Sequence, residues 1–141
     1  DPNRPLSEKG RQDVGRMAAF LARTRPSISR VVHSGKGRAI QTALAFAETM
    51  GPGRILEEAI EGLAPDDSPT IVADVVNGWT EDTMLVGHLP HLSRLAGLLL
   101  TGDADETIVY FQPGTVLCLE RGENGHGWSV TWAVRPELLG G

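Results

Sequence analysis

Apolar positions along the chain follow two rhythms, one helical and one extended. After a polar, proline-marked opening from Asp1 to Leu6, the residues Val14, Met17, Ala18 and Leu21 recur at the spacing that lines one face of a helix. Ser7 stands just before this run, where its hydroxyl can accept a first-turn backbone N–H, and Thr24-Arg25-Pro26 stops it. Ile28 to Val32 predicts a short strand running into His33-Ser34-Gly35-Lys36-Gly37-Arg38. A second helix is predicted from about Gly37 to Met50, with Ile40, Ala43, Leu44 and Ala47 inward and Gly51-Pro52-Gly53 as its stop. Arg54 to Pro69 reads as an extended piece followed by an acidic surface loop, and Thr70 to Val76 as a helix.

The second half repeats the strand, loop, helix order. Thr83 to Val86 is a short apolar strand, Gly87 to Pro90 its exit loop, and Ser93 to Leu100 a helix. Thr107 to Phe111, Val116 to Glu120 and Ser129 to Val134 are strand candidates separated by Pro113-Gly114 and by Gly122 to Gly127. Helices interleaved with strands predict an α/β fold, a three-layer sandwich whose mainly parallel central sheet is flanked by helices, with antiparallel pairing at its later edge. A chain of 141 residues suits one domain able to bury a core.

Composition narrows the partners. The chain is 40% hydrophobic and 22% charged, which is globular rather than disordered. Its formal net charge of -5 offers no broad attraction to nucleic acid or an anionic membrane, so neither is expected as a partner. The longest plainly apolar stretch, Leu92 to Leu100, is far short of the roughly 20 residues that cross a bilayer. Cys118 is the only cysteine, which excludes an internal disulfide and predicts a reducing, cytoplasmic setting. Its place within Thr115 to Glu120 predicts a core thiol on a strand.

Ligands of open α/β sheets bind beyond the carboxyl ends of strands, so the two strand exits hold the chemistry. The first offers Ser34, Gly35, Lys36 and Arg38: glycines that let backbone amides approach an anion, a helix start that favours negative charge, and a guanidinium able to grip two phosphate oxygens. It lacks the Gly-x-x-x-x-Gly-Lys-Ser/Thr pattern of a nucleotide phosphate loop. The second offers His88, between Gly87 and Pro90. An Arg and a His on neighbouring exits suit phosphoryl transfer without a metal. His88 and His91 are three apart, yet no third ligand matches them, and no cofactor is expected. His33, closing an apolar strand, predicts packing or backbone hydrogen bonding; His91 and His126 predict surface positions. Glu57, Glu58 and Glu61 could place one carboxylic acid near the pocket or form a solvated acidic loop.

Asp1-Pro-Asn-Arg-Pro-Leu-Ser-Glu-Lys-Gly-Arg11, Ser34-Gly-Lys-Gly-Arg-Ala-Ile-Gln-Thr-Ala43 and Leu85-Val-Gly-His-Leu-Pro90 come in an order that resembles the protein phosphohistidine phosphatases, the SixA-like branch of the histidine phosphatase superfamily. Phe111-Gln-Pro-Gly-Thr115 and the tryptophan-bearing final strands extend the resemblance over nearly all of the chain. It implies one histidine-phosphatase-like domain over residues 1–141, with Arg38 as the phosphate-binding arginine, His88 as the second active-site histidine and Arg4 as a basic residue near the pocket. It also implies a nucleophilic histidine in an Arg-His-Gly or Arg-His-Ala motif after a first strand. That motif is absent, and His33 does not replace it, because it precedes Ser34 in a different landmark. The wanting segment is expected to be a central, buried strand of the sheet, missing either because the sequence is trimmed or because the chain naturally or deliberately lacks it.

The function expected from the resemblance is a metal-independent phosphatase acting on phosphohistidine of signalling or phosphotransfer proteins through a phosphohistidine intermediate. Two alternatives stand beside it, a phosphatase of small phosphomonoesters and a non-catalytic module that binds phosphorylated proteins. The partner in each case is a phosphorylated protein or small molecule.

Overall fold

The computed structural model describes residues 3–140, so Asp1 and Pro2 of the first landmark lie outside it. Helix α1 (Glu8–Arg23) starts where the Ser7 hydroxyl accepts the Gly10 N–H at 3.0 Å, and it buries Val14, Met17, Ala18 and Leu21. Strand β1 (Arg30–His33) leads into α2 (Gly37–Met50), then β2 (Leu56–Ala59), α3 (Pro69–Asn77), β3 (Thr83–Val86), α4 (His91–Thr101), β4 (Val116–Arg121) and β5 (Trp128–Val134).

The parallel sheet has the order β2-β1-β3, with His33 level with Ala59 on one side and Val86 on the other. Strand β1 is its centre, and Val31 and Val32 are fully buried. Alternation sorts the faces: Met84 and Val86 pack with Val31 and Ala43 towards α2, whereas Leu85 packs with Val72, Val76 and Leu95 towards α3 and α4. The antiparallel hairpin β4-β5 lies between the same helical layers, since Val116, Trp132 and Val134 pack on the α1 core and Trp128 on the α3–α4 core. This is the expected three-layer α/β sandwich with a parallel central sheet.

Two expectations need correction. Thr107 to Phe111 forms no strand. Although its residues favour extension, strand identity needs a ladder partner, and the described residues provide none there. The buried stripe of α2 is Ala39, Ala43, Phe46 and Ala47, while Leu44 is exposed. Phe46 decides this, because it enters the α1 core with Met17 and Leu21 and turns the helix by part of a turn.

The middle layer is interrupted. Among the described residues β3 pairs only with β1, and β4 only with β5. Between the two free edges lies a cavity of about 1320 Å³ lined by apolar side chains that include Met17, Phe46, Leu85, Leu95, Leu117 and Leu119. Every residue of β3 is accordingly half-buried, in contrast to the fully buried centre of β1.

Candidate anion site

The neighbouring exits of β1 and β3 form the site. Gly35 takes φ +81°, in the left-handed region that favours glycine, and turns the chain after β1. Gly37 opens α2 hard against the start of the chain: a Cβ there would stand 2.8 Å from the Asn3 carbonyl oxygen. Only a residue without a side chain allows this approach, which brings Asn3 and Arg4 beside the helix end. Arg38 follows in the first turn of α2, where unpaired N–H groups and the helix dipole favour an anion. On the other strand, Gly87 and His88 lead through a cis Leu89–Pro90 bond into α4.

His88 and Ser34 meet across the two exits, with the imidazole Nε2 and the hydroxyl Oγ 2.5 Å apart. His88 is buried, and its pKa falls to about 4, first because burial disfavours its charged form and then because Arg38, Lys36 and His91 repel a proton. At neutral pH it is therefore an uncharged imidazole beside two fixed cations. Arg38 and His88 line the same cavity, at its end beyond the strands. Such a set, with a hydroxyl and helix-terminal N–H groups added, can bind a phosphoryl dianion and shuttle hydrogen bonds to its oxygens.

Surrounding contacts hold this arrangement. His33 accepts the Gly35 N–H through Nδ1 at 2.9 Å, and its Nε2 meets the Glu57 carboxylate on β2. It thus serves the backbone role expected of it. Glu57 is engaged by His33, and Glu58 pairs with Arg30 at 3.1 Å, while Glu61 is exposed. The Leu6 N–H donates to Gln41 Oε1 at 2.7 Å, tying the first landmark to the second. Arg4 is exposed and its side chain is not among those lining the cavity.

His126 is exposed, but His91 is not on the surface as expected; it is fully buried at the start of α4, and among the described residues neither ring nitrogen has a hydrogen-bond partner. Burial lowers its pKa, with Asp67 and the Gly62 backbone opposing that shift. The reason for the misplacement is tertiary: the turn through Gly62 and Asp67 covers the helix start, which no local pattern signals. The Ser34–His88 bond also escaped the sequence, although Ser34 and His88 each stand directly beyond a strand. Cys118, expected in the core, is half-buried on β4 and lines the cavity. Among the described residues no group of three His, Cys, Asp or Glu side chains could hold a metal ion, and no helix is long and apolar enough to cross a membrane.

Comparison places these features beside known proteins. The histidine phosphatase superfamily (branch 1) matches residues 1–64. The structure of the protein histidine phosphatase SixA complexed with tungstate is similar over 99% of this chain and 88% of its own, with TM-score 0.85 and 25% identity. SixA of Agrobacterium tumefaciens shares the fold at TM-score 0.79 and 19% identity, covering 96% and 86% of the two chains. A mycobacterial glucosyl-3-phosphoglycerate phosphatase complexed with VO3 does so at TM-score 0.67 and 18% identity, over 92% and 87%. No curated protein sequence matches the chain.

Proposed function

We propose that the chain is a member of the histidine phosphatase superfamily, in its SixA-like branch, and forms the body of a phosphohistidine phosphatase. The observation that carries the reading is the neutral, buried His88 held by Ser34 beside Arg38 and Lys36. In the proposed reaction Arg38 binds equatorial phosphoryl oxygens and His88 hydrogen-bonds to the group in transfer. The attacking histidine comes from an Arg-His motif that these residues do not contain. Its ring nitrogen forms a bond to phosphorus as the P–N bond of the substrate breaks, the released imidazole keeping a proton. Water then attacks the phosphoenzyme, freeing inorganic phosphate and the histidine.

Substrate class follows from the carboxylates. A phosphomonoester releases an alkoxide and needs a positioned acid, whereas a protonated phosphohistidine leaves as neutral imidazole. Glu57 is committed to His33, Glu58 to Arg30, and Glu61 is exposed and does not line the cavity, so none of the three is held in place as that acid. This favours phosphohistidine over a sugar phosphate, and a phosphoprotein or phosphopeptide as partner.

The test is turnover of phosphohistidine, acyl phosphate and sugar phosphate by protein that carries the Arg-His segment. Replacing Arg38 or His88 by Ala is expected to lower kcat/KM for phosphohistidine by about 10²–10³, the usual effect of removing a transition-state charge donor. A phosphoenzyme and steady turnover with both replaced would overturn the residue roles. Preference for the sugar phosphate would reverse the substrate assignment, and binding without turnover would leave a phosphoprotein-binding module.

A further inference from the structure

We propose that Glu57, on the edge strand β2, is a positioning residue of the anion site: it fixes the His33 ring in the tautomer with its proton on Nε2, and that ring holds the Ser34–Lys36 turn in the shape that presents Ser34 to His88. The Gly35 N–H donates to His33 Nδ1 at 2.9 Å, so Nδ1 carries a lone pair and the proton of the neutral ring sits on Nε2. That N–H meets the Glu57 carboxylate, which can only accept. Were the proton on Nδ1 instead, two donors would face each other at Gly35 and the turn would lose its side-chain acceptor.

Strand β2 is placed to supply this control. Val31 stands level with Glu57 and His33 with Ala59, so Glu57 and His33 lie diagonally on one face of the sheet. The Ile60 N–H donates to the His33 carbonyl at 2.8 Å, which holds the backbone of His33 from β2 as well as its side chain. His33 is buried, and that keeps solvent from standing in for either ring partner. The neighbouring Glu58 falls on the opposite face with Arg30 and cannot take over. The braced turn is short: Ser34 Oγ accepts the Lys36 N–H at 3.4 Å and lies 2.5 Å from His88 Nε2, and Arg38 follows in the first turn of α2. A shift at Gly35 therefore moves the hydroxyl, Lys36 and the helix end together.

The inference rests on reading this exit loop as a phosphoryl site, yet it is tested by the ring and by binding, so it and the phosphatase reading can fail separately. Proton–nitrogen correlation spectra of the parent are expected to show His33 Nδ1 unprotonated, and those of Glu57→Ala to show both ring nitrogens averaged between tautomers. Calorimetry is expected to show inorganic phosphate bound about fivefold more weakly by Glu57→Ala, the worth of one hydrogen bond of ordinary strength. His33→Asn puts an amide oxygen where Nδ1 stands and is expected to bind within about twofold of the parent; adding Glu57→Ala to it should cost nothing further. A carboxylate that merely steadies β2 would weaken both backgrounds alike. If His33→Asn does not fold, Glu57→Gln takes its place: its carbonyl still accepts the Nε2 proton, and it should bind phosphate as the parent does. Unchanged affinity in Glu57→Ala, equal losses on both backgrounds, a Glu57→Gln as weak as Glu57→Ala, or a parent ring protonated on Nδ1 would each overturn the proposal, and a parent that binds no phosphate would overturn the anion site with it. The expected binding pattern without turnover of phosphohistidine would bear out the positioning and overturn the phosphatase reading alone.

Discussion

Burial and like charge act together on His88, and their sum has a sign that can be measured. Its folded pKa of about 4 lies below the ordinary 6.5 retained by the unfolded chain. Between those values the unfolded chain binds more protons, so the contribution to stability is complete above about pH 6.5 and is lost as pH falls towards 4. Denaturant midpoints of His88→Gln are expected to vary less over this window than those of the parent, and parallel profiles would contradict the assignment. An oxyanion placed against Arg38 reverses the local field, so its binding between pH 5 and 6 is expected to take up protons, which calorimetry in buffers of different ionisation enthalpy detects. Arg38 and His88 were visible in the sequence because short motifs fix them directly beyond strands. His91 was not, because its burial depends on a distant turn folding over it.

Helix α4 shows where local preference and packing disagree. A Cβ at Gly97 would stand 2.4 Å from the Glu106 carbonyl oxygen and 2.9 Å from that of Asp103, both of them backbone atoms unable to swing aside. Alanine gains about 1 kcal/mol over glycine in a helix interior, but forcing an added methyl into a closed contact costs about 1–3 kcal/mol. Gly97→Ala is therefore expected to lower stability by about 1 kcal/mol in urea titration despite its better helix propensity; a stabilised variant would mean that the return after α4 yields easily. Helix limits were legible because caps and stops are local: Ser7 caps α1, and α2 spans Gly37–Met50 as its glycines predict. The absence of a strand at Thr107–Phe111 was not, since a strand is made by its partner and sequence alone does not supply one.

At the scale of the molecule, the fold class was legible from the order of elements, while the interruption of its sheet took the resemblance and the structure together. Arg121 and Trp128 both tie the hairpin to the end of α3, the Trp128 indole N–H donating to Asn77 Oδ1 at 2.8 Å. Arg121 on β4 directs Nη2 at the carbonyls of Val76, Asn77 and Trp79, at 3.1, 2.9 and 2.9 Å, and stacks its guanidinium 4.5 Å from the Trp128 ring. A lysine keeps the charge but not the plane that stacks on Trp128. Arg121→Lys is expected to cost about 1–2 kcal/mol, since hydrogen bonds to charged groups are worth about 1.5–3 kcal/mol and these are partly exposed. Hydrogen exchange in β4 and β5 should quicken ahead of that in β1. Unchanged exchange would mean that the apolar contacts and the Trp128–Asn77 hydrogen bond hold the hairpin without Arg121.

The cationic exit loop also belongs to an anionic molecule, with thirteen Lys and Arg against eighteen Asp and Glu. A doubly charged ligand arriving from solution first meets net repulsion, and feels Lys36 and Arg38 only within about 8 Å, the screening length at physiological ionic strength. Raising ionic strength from about 0.01 to 0.1 M is therefore expected to quicken association by weakening the far field. It should hasten dissociation as well, by weakening the near one. Capture and grip would then respond to salt in opposite senses, and stopped-flow traces showing slower association in salt would instead mean that the local cations govern the approach from the start.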